Sequence, residues 1–305
     1  MSAPLPELLA ADGAGPRTPG GRIRAGWGAA ARPRPRGWVR GLRIWLPAGF
    51  LILLAAACFL WPLVYPVPKP IGGSILSSGL PPLSPGHIFG TDPVGNDIFS
   101  RILHGGQVSF EVGFSVTAIG LAVGGLLGMA AGYWGRAADA VIMRVLDVLI
   151  AFPALVLALA IAEGLGPSEL HVIWALSFFS VPAFGRIARG ATLTLRERTF
   201  MLAARLSGTP GRRVILRHVI PNIAPQLMTF SLLGVGVAMI LEGALSFLGL
   251  GIPLPEPSWG SMIAAGQQTI SASPDLVLIP SAFLFATVVS LNVLGDALRE
   301  RWGVR

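Results

Sequence analysis

The sequence is poor in charge, in cysteine and in lysine, and each scarcity excludes a class of protein. Only 12% of its 305 residues are charged and 53% are hydrophobic, whereas an average soluble protein carries about 25% charged residues. The single cysteine, Cys58, stands inside an apolar run and excludes an internal disulfide. The single lysine, Lys69, follows Pro68 and not the glycine of a phosphate-binding loop, so the chain has no P-loop. This composition predicts a protein that lies in a lipid bilayer.

Groups that bind metals or catalyse reactions are also scarce. The histidines have no spacing that suits a metal site; they are His87, His104, His171 and His218. No nucleophile, base and acid stand together as a catalytic set. We therefore expect no metal site and no catalytic residue, and we do not expect this chain to be an enzyme.

The basic residues indicate the side of the membrane on which each segment lies. A net charge of +8 can indicate a nucleic-acid partner, but here the arginines flank apolar segments with few aromatic residues among them, so no nucleic acid is expected. With the N-terminus in the cytoplasm, the inner segments hold 21 of the 23 basic residues, and the outer segments hold only Lys69 and Arg101. The positive-inside rule therefore predicts that both termini are cytoplasmic.

Six apolar segments are candidates for membrane spans, since about 20 apolar residues cross the hydrocarbon layer. They are residues 44–64, 112–132, 144–162, 170–185, 227–249 and 276–295. The third begins with Arg144 and Asp147, an i, i+3 pair that is expected at the interface, and the fourth is short and contains Pro182, which is tolerated inside a helix bundle. The sequence predicts an all-α integral membrane protein with six transmembrane helices, in which residues 42–305 form the membrane domain.

Residues 1–41 differ from the rest in being rich in alanine, glycine, proline and arginine, without a hydrophobic period. They are predicted to form a disordered cytoplasmic tail. Eight arginines from Arg17 to Arg43 lead into the first apolar segment, and no small-residue cleavage site follows it. We therefore interpret this segment as an anchor and not as a cleaved signal peptide.

Residues 196–225, here called the elbow, form a polar, arginine-rich insert between the fourth and fifth spans. Phe200, Ala203, Ala204 and Ser207 recur at i, i+3, i+4 and i+7, so the spacing predicts a short helix with small and apolar groups on one face. Thr199 is the expected N-cap of this helix. A break followed by a second helix would give the elbow a helix–turn–helix shape that another protein can bind.

The second helix of the elbow is predicted from its start and stop signals. Gly208 is expected to end the first helix, Thr209 and Pro210 to begin the second, and Pro221 and Pro225 to end it before the next span. Its apolar side chains are expected to point inward and its arginines outward. These are Val214, Ile215 and Val219, and Arg212, Arg213 and Arg217.

Polar residues outside the elbow allow two interpretations each. In the first outer loop, Asp92 or Asp97 is predicted to cap a short helix, with Ser100 and Arg101 bonding back, and this turn chemistry is favoured over contact with a substrate. Glu242 lies at membrane depth, which is costly for a carboxyl group, so it either lines a translocation path or accepts hydrogen bonds from a neighbouring span.

Two further features concern packing. The second span carries Gly124, Gly128 and Gly132, a spacing that lets helices approach closely in lipid. In the last outer loop, Trp259 is expected to anchor a short interfacial helix.

At the elbow the sequence resembles the cytoplasmic signature loop of permease subunits of binding-protein-dependent ABC importers. That pattern is Glu-Ala-Ala with a glycine six residues after the glutamate and a proline nineteen residues after it. Ala203, Ala204, Gly208 and Pro221 stand at these spacings, and Leu202 stands in place of the glutamate. In the family this loop docks on the ATPase subunit, so the resemblance implies a coupling role for this surface. The implied coupling residues are Phe200, Ala203, Ala204, Arg205, Gly208, Arg212, Arg213 and Pro221.

The first outer loop is similar to the stretch Gly-Thr-Asp-x-x-Gly-Arg-Asp-x-x-Ser-Arg of the peptide and nickel importer branch, with Asn96 in place of the usual arginine. The matching residues are Gly90, Thr91, Asp92, Gly95, Asp97, Ser100 and Arg101. Together with Trp259, the resemblance makes them candidates for contact with a binding protein or for a gate. Glu242 remains a candidate for the translocation path.

The resemblance implies a type I ABC importer permease fold in the bacterial inner membrane. The implied partners are a homologous B-type permease, two ATP-binding subunits that hold ATP and magnesium, and an extracytoplasmic substrate-binding protein, so no cofactor is expected on this chain. Dipeptides or oligopeptides are the expected cargo, with nickel or glutathione as alternatives. An ion-coupled secondary transporter is the alternative from a different class, but it should carry several intramembrane carboxylates in two matching halves.

Overall fold

The computed structural model describes residues 37–64, 70–253 and 255–303, and within these ranges the chain is helical without any strand. Most of the predicted tail, residues 1–36, lies outside the described residues. The first helix begins at Gly37, earlier than the predicted boundary after residue 41.

Nine helices of eight residues or more occur in the described ranges. They are α1 (Gly37–Phe59), α2 (Ile98–Trp134), α3 (Arg136–Ala151), α4 (Ala154–Leu165), α5 (Glu169–Arg196), α6 (Thr199–Leu206), α7 (Gly211–Phe247), α8 (Trp259–Gln267) and α9 (Asp275–Trp302). Helices α2 and α7 each include a π-helical turn, Gly120–Gly124 and Ile215–Val219 respectively.

Five helices are long and apolar enough to cross a membrane: α1 with the turn that follows it, α2, α5, α7 and α9. The predicted third span is a broken one, since α3 and α4 are bent by 81°. Phe152 is extended (φ −86°, ψ 134°) and precedes Pro153, because a residue before proline is driven out of the helical region. Counting the bent pair as one span gives the six that the sequence predicts.

The glycines of α2 form the surface on which α5 packs. A Cβ atom on Gly124 would collide with the carbonyl oxygen of Val181, and one on Gly128 with that of Gly185. One on Gly132 would lie 2.9 Å from the carbonyl oxygen of Arg189. The predicted small-residue packing is therefore confirmed, and its partner is α5.

Two ion pairs join α3 to α5 near the inner side. The guanidinium of Arg189 donates two hydrogen bonds to the carboxylate of Asp139, from Nε to Oδ1 and from Nη2 to Oδ2, the second at 2.7 Å. Arg186 Nη2 donates to Asp147 Oδ1 at 2.8 Å. Asp147 thus pairs with Arg186 of the closely packed α5 and not with its i, i+3 neighbour Arg144.

Three buried clusters run along the bundle. One joins α1, α2, α7, α8 and α9 around Trp259 and Met239, and a second joins α2, α4, α5 and α7 around Leu176 and Leu245. The third joins the inner ends of α2, α5 and α7 to α6, with Met201 at its centre. The elbow is therefore packed on the bundle and is not a loose loop.

Candidate functional site: the elbow and the outer face

The N-cap of helix α6 lies one residue before Thr199, the residue predicted for it. Arg198 is extended (φ −73°, ψ 144°), and its carbonyl oxygen accepts the N–H groups of Met201 and Leu202. Arg198 is thus the N-cap, and Thr199 is the first helical residue. Gly208 ends the helix as predicted, with the left-handed φ of +68° that a residue with a side chain adopts at a cost.

The second half of the elbow is continuous with the fifth span. Helix α7 starts at Gly211 with Pro210 as N-cap, and it passes through Pro221 and Pro225 without a break. The prediction that these prolines end a short helix is wrong. The π turn at Ile215–Val219 already interrupts the regular hydrogen bonding just before Pro221, so the helix tolerates a residue without an N–H group.

The inward and outward sides of the elbow follow the predicted pattern. Val214 and Val219 are completely buried and Ile215 is half-buried, whereas the three arginines that were expected to face outward are exposed. They are Arg212, Arg213 and Arg217. Exposed Pro221 follows them on α7. The elbow therefore carries positive charge on its solvent side and apolar groups against the bundle.

Helix α6 has an exposed apolar surface, here called the apolar face of α6, which consists of Phe200, Leu202, Ala203 and Leu206. Leu206 is 80% exposed, Leu202 58% and Phe200 42%. Residues on this face span slightly less than half of the helix circumference at 100° per residue. Met201 is completely buried on the opposite side. Such a cluster of large apolar side chains on a segment outside the spans indicates an interaction surface.

Two predicted coupling residues lie off this face. Ala204 is half-buried against the core cluster of Met201. Arg205 places its guanidinium carbon 5.2 Å from the centre of the Tyr133 ring at the inner end of α2, in cation–π geometry. These residues orient α6 on the bundle. The sequence reasoning did not identify Leu202 and Leu206 as surface residues, although their i, i+4 spacing was available as a signal.

On the opposite side of the membrane, residues 70–97 form a hydrogen-bonded unit, here called the outer cap. Thr91 Oγ1 accepts the N–H of Leu80 at 2.9 Å. The carboxylate of Asp92 accepts both the backbone N–H and the side-chain amide of Asn96, each at 2.8 Å. Asn96 Oδ1 in turn accepts the N–H of Gly73 at 2.9 Å. Asn96, which stands in place of the arginine of the family pattern, thus joins the beginning of the outer cap to its end.

Asp97 connects the outer cap to α2. Its Oδ1 accepts the N–H of Ser100 at 2.7 Å as the N-cap of the helix, and its Oδ2 lies 2.7 Å from Nδ1 of His87. Arg101 is 7% exposed and donates to the carbonyl oxygen of Pro70 at 3.1 Å. This geometry supports the turn-and-cap interpretation, since these side chains point into the protein, and it shows that the capped helix is long.

Two glycines of the outer cap are required by its backbone. Gly90 and Gly95 have φ angles of +79° and +82°. A Cβ atom on Gly90 would collide with the carbonyl oxygen of Leu80, and one on Gly95 with that of Ser74. Only glycine combines these angles with this close approach at no steric cost.

Glu242 is 1% exposed and lies where α7, α8 and α2 meet. Its Oε1 accepts two hydroxyl groups at 2.7 Å, from Ser246 one helical turn away and from Ser258 at the start of α8. A Cβ atom on Gly260 would collide with Cα of Gly243, so the backbones of α7 and α8 touch here. Glu242 joins two helices in a buried site, which supports the interpretation as a hydrogen-bond acceptor.

Trp259 begins α8, as the prediction of a short outer helix requires, but its ring lies in the core. It is completely buried, and its Nε1 donates to the carbonyl oxygen of Ile102 at 2.9 Å. Its ring also packs edge-on against Phe110. The expected position at the lipid interface is wrong, because α8 folds back against α2 and carries the indole inward.

Two small cavities lie at the inner ends of α5, α7 and α9, and Gln226 lines both. One, of about 210 Å³, is lined by polar groups that include Thr194 and Asn222. The other, of about 130 Å³, extends to Asp296 on α9. Of these residues the sequence reasoning selected Asp296 alone; it did not identify Thr194, Asn222 or Gln226.

Comparisons with known proteins agree with this geometry. Residues 124–302 match the family described as binding-protein-dependent transport system inner membrane component. The chain is 41% identical over 214 residues to the dipeptide transport system permease protein DppC of Alkalihalophilus pseudofirmus, covering 70% of each chain. It is 36% identical over 268 residues to the glutathione transport system permease protein GsiD of Pectobacterium atrosepticum, covering 86% of this chain and 88% of that one.

A solved structure shares the fold. The inward-facing MetNI methionine ABC transporter contains a chain that superposes with a TM-score of 0.54 at 15% identity, over 67% of this chain and 97% of that chain. At this identity the likeness establishes the architecture alone.

Proposed function

The chain belongs to the family of binding-protein-dependent transport system inner membrane components and is a multi-pass permease subunit of an ABC importer in the bacterial inner membrane, and we propose that its elbow couples an ATPase to transport of peptides. The permease itself does no covalent chemistry in this proposal. ATP and magnesium are held by two ATP-binding subunits, a homologous B-type permease supplies the other half of the pathway, and an external binding protein delivers the cargo.

The apolar face of α6 is the single observation that carries the coupling role. Met201 and the cation–π contact of Arg205 fix α6 to the bundle, while Leu202 and Leu206 point away from it. A short helix that is rigidly held and has an apolar outer surface can transmit motion of a bound ATPase to the inner ends of α5 and α7. With Leu202 at the position of the family glutamate, this contact is apolar and not acid-mediated.

Replacing Leu206 with aspartate is expected to weaken ATPase binding at least about tenfold, since burial of a leucine side chain contributes about 1.5–3 kcal/mol. ATP-driven uptake should fall with it. The measurement is the amount of ATPase that co-purifies with the tagged permease from membranes, together with uptake of a labelled peptide.

Leu76→Asp provides the matched control, because Leu76 is 98% exposed and lies in the outer cap. This variant should retain the ATPase. Equal retention of the ATPase by Leu206→Asp and wild type would refute the proposed docking surface.

Peptides are the proposed cargo because relatives named for dipeptide and peptide transport match most of the chain. Glutathione, itself a tripeptide, is the second candidate, which the glutathione permease relatives favour. We expect a strain without this gene to lose growth on dipeptides as the only source of a required amino acid. Loss confined to growth on glutathione as the sulfur source would instead select the second candidate, and retention of both would exclude the peptide proposal.

A further inference from the structure

A groove lies between the inner ends of α1 and α9, outside every site considered above. Its volume is about 340 Å³. One wall is formed by Arg43, Ile44 and Trp45 of α1, and the other by Ala297 and Arg301 of α9 with Glu300 beside them. Guanidinium groups and apolar side chains thus lie side by side in one concave surface.

The charge of the groove is positive. Arg43 Nη1 lies 3.9 Å from Glu300 Oε1, and both side chains are more than half exposed, at 56% and 62%. An exposed pair at this distance contributes little energy, so Glu300 does not hold Arg43 away from another anion. Among the described residues, no carboxylate lies within ion-pair distance of Arg301. Two guanidinium groups therefore face the groove against one carboxylate.

The depth of the groove coincides with the cytoplasmic head-group layer. Ile44 begins the uncharged run of the first span, and α9 becomes charged at Asp296 and beyond. Trp45 is 73% exposed, and tryptophan is enriched where hydrocarbon meets the head groups. The arginine distribution places this end of both helices on the cytoplasmic side, where anionic lipids lie.

The two helices that form the groove are also the least buried of the continuous spans. Only 17% of the apolar stretch of α1 and 22% of that of α9 are buried, the two lowest values among the five continuous spans. On the side of α1 that carries Trp45, the exposed apolar surface continues about two turns further along with Ile52, which is 68% exposed. A molecule in the groove would therefore meet charged heads at one end and an apolar helix surface along the membrane normal.

We propose that this groove binds one anionic phospholipid of the inner leaflet. Its phosphodiester lies between Arg43 and Arg301, and an acyl chain follows α1 past Trp45 and Ile52. A phospholipid matches both the basic end and the apolar continuation, whereas a free phosphate matches only the first. The site would tie the first and last spans together at the membrane surface.

The test uses the full-length chain purified with its co-expressed partner subunits in detergent. Phosphatidylglycerol and phosphatidylcholine are added in turn, and bound lipid is counted by native mass spectrometry. We expect preferential retention of phosphatidylglycerol. The double variant Arg43→Gln/Arg301→Gln should weaken it roughly 20- to 30-fold, from about 1 kcal/mol per basic residue near an anionic surface.

Three comparison variants distinguish the groove from general charge effects. Arg144→Gln/Arg217→Gln removes two exposed inner arginines outside the groove and should leave lipid retention unchanged. Arg43→Lys/Arg301→Lys keeps the charge and should retain most of the binding, which controls for folding. Glu300→Gln removes the one opposing charge and should strengthen retention about fivefold.

Several results would overturn the proposal. One is equal retention of phosphatidylglycerol and phosphatidylcholine by the wild type, which would follow if a partner subunit covered the groove. Another is an equal loss of phosphatidylglycerol in Arg43→Gln/Arg301→Gln and in Arg144→Gln/Arg217→Gln. Displacement of phosphatidylglycerol by millimolar inorganic phosphate would also overturn it, because the site would then recognise an anion without its lipid.

Discussion

Replacing Gly124 with alanine is expected to disrupt the packing of α2 on α5, whereas the same change at the adjacent Gly125 is expected to be harmless. A Cβ atom at Gly124 would collide with the carbonyl oxygen of Val181, and this backbone cannot yield as a flexible side chain could. Overpacking of this kind costs about 1–3 kcal/mol, and occasionally more. At Gly125 the nearest atom to a Cβ would be 3.9 Å away, and alanine has the better helix propensity by about 1 kcal/mol.

The two variants can be compared by the temperature at which the detergent-purified chain loses its monodisperse gel-filtration peak. We expect Gly124→Ala to lower this temperature and Gly125→Ala to leave it unchanged or raise it. Gly128→Ala should behave like Gly124→Ala, since its Cβ would collide with the carbonyl oxygen of Gly185. If Gly124→Ala were as stable as Gly125→Ala, the close approach of α2 to α5 would be wrong.

The spans were the part of the fold that the sequence specifies most directly, because only long apolar segments can cross a bilayer. The residues at which the spans begin and end were harder to predict. Helix α2 begins at Ile98, well before the predicted start at residue 112, since its first turns are held by the cap at Asp97 and by protein contacts. Hydropathy measures transfer into lipid and therefore does not register helical turns that are covered by protein.

The elbow shows which local signals suffice. Gly208 was a reliable stop because a left-handed residue is a backbone requirement that the sequence states directly. Pro221 was a misleading one, since its effect depends on the π turn that precedes it. Val214, just before this turn, and Val219, at its end, are buried in the bundle, so the turn forms in a tertiary context that local sequence does not state.

The outer cap could not be predicted in detail because its contacts are distant in sequence. The bond from Gly73 to Asn96 spans 23 residues, and that from Trp259 to the backbone of Ile102 spans 157. Residue spacing indicated that Asp97 could cap a helix, but no local pattern indicates which distant carbonyl or amide completes the network. The capping role was therefore predictable, and the enclosure of Trp259 was not.

Replacing Glu242 with alanine is expected to detach α8 from α7 and destabilise the chain by roughly 3 kcal/mol or more, because two hydroxyl donors lose their acceptor in a buried site and a cavity remains. The hydroxyls of Ser246 and Ser258 both converge on Glu242 Oε1 at 2.7 Å. Since Ser258 also accepts the N–H of Ser261 in the capping box of α8, its displacement should loosen the first turn of that helix and expose Trp259. The measurement is the thermal midpoint together with quenching of tryptophan fluorescence by acrylamide.

Glu242→Gln is the matched variant, because the glutamine amide oxygen can accept the same two hydroxyl groups without a carboxylate. We expect it to keep most of the stability and of the peptide uptake that Glu242→Ala loses. This comparison separates the two interpretations of the residue: an acceptor that joins α7 to α8 needs only an oxygen at this position, whereas a carboxylate that lines the translocation path must be an acid. A glutamine variant that folds and assembles normally but no longer transports would therefore assign Glu242 to the path, and the buried serine contacts would then be secondary to transport.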